Sequence, residues 1–228
     1  MKLYRLLIHT DRIRYPYPVV LQGAFYALLD WIDPQMAQQI HDHSGHKLSI
    51  FWNPVQSHLE VGMCGEEWKT AFPLQDLQGI DWRFGEETVR IHQIRMHEVS
   101  DPIQLHSVNL EFLSPVLLRD ANRKAVLNPS LKQILSSACK KADLKLDLTP
   151  SEKLRCQSRL ERVFSDYKYQ KEPAFIGQVK IDGSHLTASE QQELLPAFQA
   201  LNVLGCGAKT MMGFGRVLVS CFETGKPE

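Results

Sequence analysis

The chain has 228 residues, 43% of them hydrophobic and 23% charged, which excludes a disordered segment and fits one large globular domain or two small ones. Lysine plus arginine and aspartate plus glutamate both number 26, so no overall basic field announces a nucleic-acid binder, and any anion site must be a local patch. The five cysteines, Cys64, Cys139, Cys156, Cys206 and Cys221, include no C-x-x-C pair, which points to reduced thiols in a cytoplasm and against a disulfide framework or zinc ribbon.

The opening "MKLYRLLIHTDR" is too short and interrupted for a signal peptide, and no apolar run is long enough to span a bilayer, so the expected location is cytoplasmic with no membrane partner. "KLYRLLIH" is a short apolar run bounded by "TDR", the pattern of a buried strand. Leu21, Phe25, Leu28 and Ile32 then repeat as the apolar stripe of a helix, which Asp33-Pro34 ends. The same Asp-Pro pair caps and opens a second short helix, "PQMAQQIHD", with Met36 and Ile40 facing inward. "LSIFWN" and "SHLEVGMC" are expected strands joined by "PVQ", "EEWKTAFPLQDLQG" is a weaker helix, and "ETVRIHQIRMHEV" is another strand. The first hundred residues thus have the order β-α-β-β-α-β.

A second pass repeats this order with one more helix. "HSVNLEFLSPVLL" alternates as a strand through Val108, Leu110 and Phe112, and Asn128-Pro129 opens a helix over "SLKQILSSACKKA". Thr149-Pro150 with Glu152 has the form of a capping box and predicts a helix over "EKLRCQSRLERVFSDY", with Arg155, Arg159 and Arg162 on one helical face. "PAFIGQVKI" is a strand, Thr187 and Glu190 form a capping box before "ASEQQELLPAFQALN", and "GRVLVSCF" is the last strand. The softest boundary is "EVSDPIQ", near Asp101-Pro102.

Three places carry chemistry. Tyr26 sits about 140° around its helix from the apolar stripe, on a face shared with Gln22 and Asp30 that suits either a groove or a plain solvent rim. "HDHSGHK" gathers His41, His43 and His46 beside Lys47 at the end of the second helix. That cluster reads as metal ligands, as a proton-transfer histidine whose charged form the helix C-terminus favours, or as a solvated polar turn. "GCGAKTMMGFG" spends four of the chain's 13 glycines, Gly205, Gly207, Gly213 and Gly215, between a helix and a strand. Those glycines can take positive φ and let backbone N–H groups approach an anion, with Lys209, Thr210 and Arg216 alongside, or they can simply connect the two elements. The segment is neither a Walker A loop nor a Rossmann fingerprint.

Taken together, these pieces resemble the CRISPR repeat-processing endoribonucleases of the repeat-associated mysterious protein (RAMP) superfamily. "GCGAKTMMGFGRV" is similar to that family's C-terminal glycine-rich loop, and "LSPV" at Leu113–Val116 to its motif in the first strand of the second half. In the family, "LQG" is followed by a tyrosine, a histidine fifteen residues on and a lysine six residues later. Here Leu21-Gln22-Gly23 precedes Tyr26, His41 and Lys47 at that spacing.

The resemblance implies an α+β fold of two tandem ferredoxin-like (RRM-like) domains packed side by side. Residues 1–100 would carry the catalytic residues, and residues 104–228 the glycine-rich RNA-binding loop. It implies metal-independent cleavage of precursor CRISPR RNA within the repeat by 2′-hydroxyl attack, giving a 2′,3′-cyclic phosphate and a 5′-hydroxyl. No cofactor and no metal ligand are implied. Tyr26 and His41 would move protons and Lys47 would stabilise the phosphorane, with His43 or His46 as substitutes for His41. Gly205, Gly207, Lys209, Thr210, Gly213, Gly215, Arg216, Arg155 and Arg159 would contact RNA. The implied partners are CRISPR repeat RNA, as precursor and mature guide, and other CRISPR effector subunits, with the chain a monomer or homodimer. Two rival readings are a non-catalytic RAMP RNA-binding subunit and a metal-dependent phosphohydrolase built on the His41–His46 cluster.

Overall fold

The structure, a computed structural model, describes residues 1–14, 16–42, 47–100, 103–167 and 170–222. It divides into two compact units, one of Met1–Val99 with Lys209–Phe214 and the other of Ser100–Ala208 with the residues from Gly215 on.

The first unit opens with β1 (Leu3–Thr10), followed by α1 (Pro18–Ile32) and α2 (Pro34–Asp42). Pro18 stands in the first turn of α1, where its missing N–H costs nothing, and no side chain caps that end. Asp33 works on both helices: its N–H donates to the Leu29 carbonyl at 2.7 Å, and its carboxylate accepts from the N–H groups of Gln35 and Met36 at 3.0 Å each. β2 (Leu48–Asn53) and β3 (His58–Cys64) follow, then two single-turn helices, α3 (Trp68–Ala71) and α4 (Leu74–Leu77), where one weak helix was expected. Pro73 separates them.

A further strand, β4 (Asp81–Phe84), was not anticipated; it turns back through Gly85-Glu86 into β5 (Glu87–Glu98). The signal for it was the alternation "DWRF" ahead of a two-residue turn whose Gly85 has φ +59°. The five strands run β2-β3-β1-β5-β4, every pair antiparallel. Without β4 this is the ferredoxin-like strand order. Leu6, Ile8, Ile50, Leu59 and Val61 face α1 from one side of the sheet, all buried, and Leu21, Phe25 and Leu28 answer from the helix.

The second unit comprises β6 (Ser107–Val116), α5 (Leu131–Lys141), a 3-10 turn (Thr149–Lys153), β7 (Arg155–Tyr167), β8 (Gln170–Asp182), α6 (Ala188–Leu204) and β9 (Val217–Cys221). Its sheet order is β7-β8-β6-β9, again ferredoxin-like and antiparallel. The Thr187–Glu190 capping box forms as expected, and α5 has one too, between Ser130 and Gln133.

The helix expected over "EKLRCQSRLERVFSDY" is the strand β7 instead. Thr149 and Glu152 make no capping box: the Thr149 N–H goes to Asp147, and Glu152 pairs with Lys132 at 2.6 Å. β7 is an edge strand paired along thirteen positions with β8, and most of its side chains are exposed on both faces. A strand wet on both sides carries no two-residue alternation, so its Arg, Glu and Leu residues left only helical propensity to read. Arg155 and Arg159 therefore share one strand face while Arg162 lies on the other, its guanidinium 4.9 Å from the centre of the Phe164 ring.

Arg216 holds the second unit together from within. It is 4% exposed; its guanidinium donates to the Asn202 carbonyl at 2.6 Å and to the Val217 carbonyl, while its N–H reaches the Ser114 hydroxyl at 2.9 Å. A buried cation bonded to main-chain acceptors cannot be removed cheaply, because the carbonyls it served stay buried. Arg216→Ala is expected to lower unfolding free energy by about 3 kcal/mol or more, checked by urea denaturation. A loss under about 1 kcal/mol would mean that the side chain is solvated.

Candidate active site

α1 sets Tyr26 on the flank of its buried stripe. Its ring is half-buried and packs against the core of the first unit, so it is more enclosed than a rim tyrosine. The hydroxyl donates to the Met211 thioether at 3.8 Å. Burial pushes the phenol above its ordinary pKa, and a hydrogen bond with Gln22 partly offsets this. Tyr26 therefore keeps its proton at neutral pH. The thioether is a weak acceptor, so an incoming oxygen competes easily for that proton.

Met211 belongs to the glycine-rich segment, whose middle, Lys209–Phe214, folds as part of the first unit. It makes a single 3-10 turn, Thr210–Met212, with Met211 in the core. The Thr210 hydroxyl, 2% exposed, donates to the Leu48 carbonyl at 3.2 Å. Leu48 starts β2, and the exposed Lys47 precedes it, its carbonyl accepting from the Cys64 N–H at 3.0 Å. Gly213 takes φ +87°, a conformation that favours glycine, and an added Cβ would make only ordinary contact with the Leu21 side chain at 3.4 Å. Tyr26 and the strand start that bears Lys47 are thus both tied to one six-residue segment.

His41 stands in the final turn of α2, with its side chain outside the described residues; His43 and His46 lie outside them as well. The metal reading of this cluster rests on those residues.

The ends of the glycine-rich segment belong to the second unit, and there the glycines serve the fold. Gly205 caps α6 at φ +66°, where an added Cβ would sit 2.1 Å from the Gly215 carbonyl oxygen. The N–H groups of Cys206, Gly207, Ala208 and Gly215 donate to Gly215, the Ser137 hydroxyl, Leu117 and Pro115, at 2.7 to 2.9 Å. These four N–H groups are spent inside the protein, and the glycines here permit close chain crossings. Arg216, expected to contact RNA, is likewise committed to the interior. Cys206 is fully buried, which pushes its thiol up to about 12 and leaves it inert.

Lys209 is different. It holds a left-handed conformation, φ +61° and ψ +28°, that a lysine adopts only at a cost, and its side chain is partly exposed.

Residues 110–217, from β6 through the glycine-rich segment, match the family model described as CRISPR-associated endoribonuclease Cas6. The match is to Cas6. The resemblance read from the sequence holds on this stretch, and the Cas6 family is one of CRISPR repeat-processing endoribonucleases. Solved Cas6 structures share the fold. A Cas6 product complex superposes with a TM-score of 0.75 at 20% identity, covering 96% of this chain and 100% of its own. Thermus thermophilus Cas6 gives 0.68 at 18%, covering 96% and 98%. A protein from a Cas6-related gene of Pyrococcus furiosus gives 0.62 at 14%, covering 96% and 98%. No curated protein matches the sequence. The matched stretch begins at residue 110, beyond Tyr26, His41 and Lys47, and does not include them.

The strain at Lys209 gives a test that separates folding from binding. Lys209→Gly is expected to hold or raise the melting temperature, by relief of about 1 kcal/mol, while weakening RNA binding severalfold in a filter assay. Unchanged RNA affinity would assign the lysine to structure alone.

Proposed function

We propose that the protein is a Cas6-type endoribonuclease that cuts precursor CRISPR RNA within its repeat by metal-independent attack of the RNA's own 2′-hydroxyl. The observation that carries this reading is the seating of Thr210 and Met211 against Leu48 and Tyr26, which links two of the three candidate catalytic positions to the glycine-rich segment of a Cas6-matching chain.

RNA supplies the nucleophile, so the protein needs only to orient the phosphodiester, move two protons and neutralise charge. The 2′-oxygen attacks the adjacent phosphorus, and its proton passes to neutral His41. The bond from phosphorus to the 5′-oxygen breaks, and the departing oxygen takes a proton from Tyr26, which burial keeps protonated. Lys47 offsets the charge on the phosphorane. The products are a 2′,3′-cyclic phosphate and a 5′-hydroxyl. Lys209 holds a backbone phosphate, and Arg155 and Arg159 offer a second set of contacts along β7. The proposed place of action is the cytoplasm, with repeat RNA as the partner.

With Tyr26 as the acid, the single-turnover rate should hold as pH rises through the ordinary tyrosine range at about 10 and fall only above it, because burial raises the phenol. Cleavage should persist in EDTA, stop when the scissile nucleotide lacks its 2′-hydroxyl, and fall by about a hundredfold or more in His41→Ala. Loss of cleavage in EDTA would favour a metal enzyme. Binding without cutting would favour a non-catalytic RAMP subunit.

A further inference from the structure

α5 has two faces. Leu131, Ile134, Leu135 and Ala138 are buried, whereas Ser130, Gln133, Ser136, Ser137 and Lys140 recur every three or four residues on the other side. That polar face forms one wall of a cleft of about 750 Å³ inside the second unit. Such a volume lies within the span of about 300–1,000 Å³ usual for ligand sites. Leu117, Leu118 and Val126 supply an apolar floor, and Gly207 and Ala208 of the glycine-rich segment border it. In a chain with equal acidic and basic counts, this lining carries Arg119, Lys132 and Lys140 against one carboxylate, Asp147. Arg119 is paired with Glu172 and Lys132 with Glu152, while Lys140 is exposed and makes no ion pair among the described residues. Ser130 and Gln133 bond each other in the capping box and Ser137 accepts from Gly207, so the Ser136 hydroxyl is the polar group left for a sugar or base edge. With an apolar floor for a ring and a cation for a phosphate, it describes a ribonucleotide site.

We propose that this cleft seats one nucleotide of the bound repeat RNA away from the scissile bond. The inference rests on the RNA-cleaving reading. It adds a position where affinity, and base preference, are set by α5 and not by the catalytic residues.

The test uses the full chain and CRISPR-repeat RNA of the host. Lys140→Gln removes the phosphate cation, and Ser136→Phe fills the cleft; both are compared with wild type by filter binding across a salt series. The expected result is a dissociation constant about tenfold higher for each, with the Lys140→Gln salt slope smaller by about 0.7, one single-strand phosphate contact. Photo-crosslinking of repeat RNA carrying 4-thiouridine should map to the α5 segment in wild type, a readout independent of whether either variant folds. Wild-type affinity in both folded variants, or crosslinks that all map elsewhere, would overturn the subsite and leave the endoribonuclease reading intact. Loss of uridine 5′-monophosphate binding in the variants with RNA binding unchanged would overturn it in favour of a free-nucleotide site. No binding of repeat RNA by wild type would overturn both readings.

Discussion

The proposed catalytic face depends on how six residues, Lys209–Phe214, seat against α1 and β2. The Thr210 hydroxyl meets the Leu48 carbonyl, Met211 enters the core, and Gly213 turns the chain at φ +87°. Each contact is ordinary, and a buried hydrogen bond of this kind contributes about 1 kcal/mol. Their joint consequence is positional. A segment distant in sequence from α1 and β2 fixes the surroundings of the Tyr26 phenol and lies beside the start of the strand that follows Lys47.

This seating also explains how the four glycines are used. Gly205 and Gly207 permit chain crossings that any Cβ would block with main-chain clashes, and Gly213 supplies the positive φ that ends the 3-10 turn. The glycine spacing therefore encodes a path, and chemistry is left to side chains. Lys209 opens the 3-10 turn in a left-handed conformation with its side chain partly exposed. Arg216, one residue beyond the last glycine, went the other way. Its guanidinium donates to carbonyls of α6 and β9, so the side chain serves the interior of the second unit.

Much of this was legible from residue spacing. The apolar stripe of α1, the double role of Asp33 and the Thr187 capping box are local features, and local physics sets them whatever surrounds them. β7 was illegible for the opposite reason: long-range pairing with β8 forms it, and its exposed faces leave no alternation in the sequence. β4 was readable but overlooked, hidden in a short "DWRF" run next to a glycine turn. At the proposed site, Tyr26 and Lys47 come from the family resemblance and its spacing. Their link through Met211 and Leu48 could not, since nothing local to either residue announces a partner so far along the chain.

The central claim is chemical: the repeat is cut by its own 2′-oxygen. The most direct measurement is mass spectrometry of the upstream fragment after digestion of repeat RNA by wild-type protein in EDTA. The account predicts a terminal 2′,3′-cyclic phosphate, or the monophosphate formed when it opens, with a 5′-hydroxyl on the downstream fragment. A free 3′-hydroxyl upstream with a 5′-phosphate downstream would contradict it, because those ends require water or hydroxide as the nucleophile.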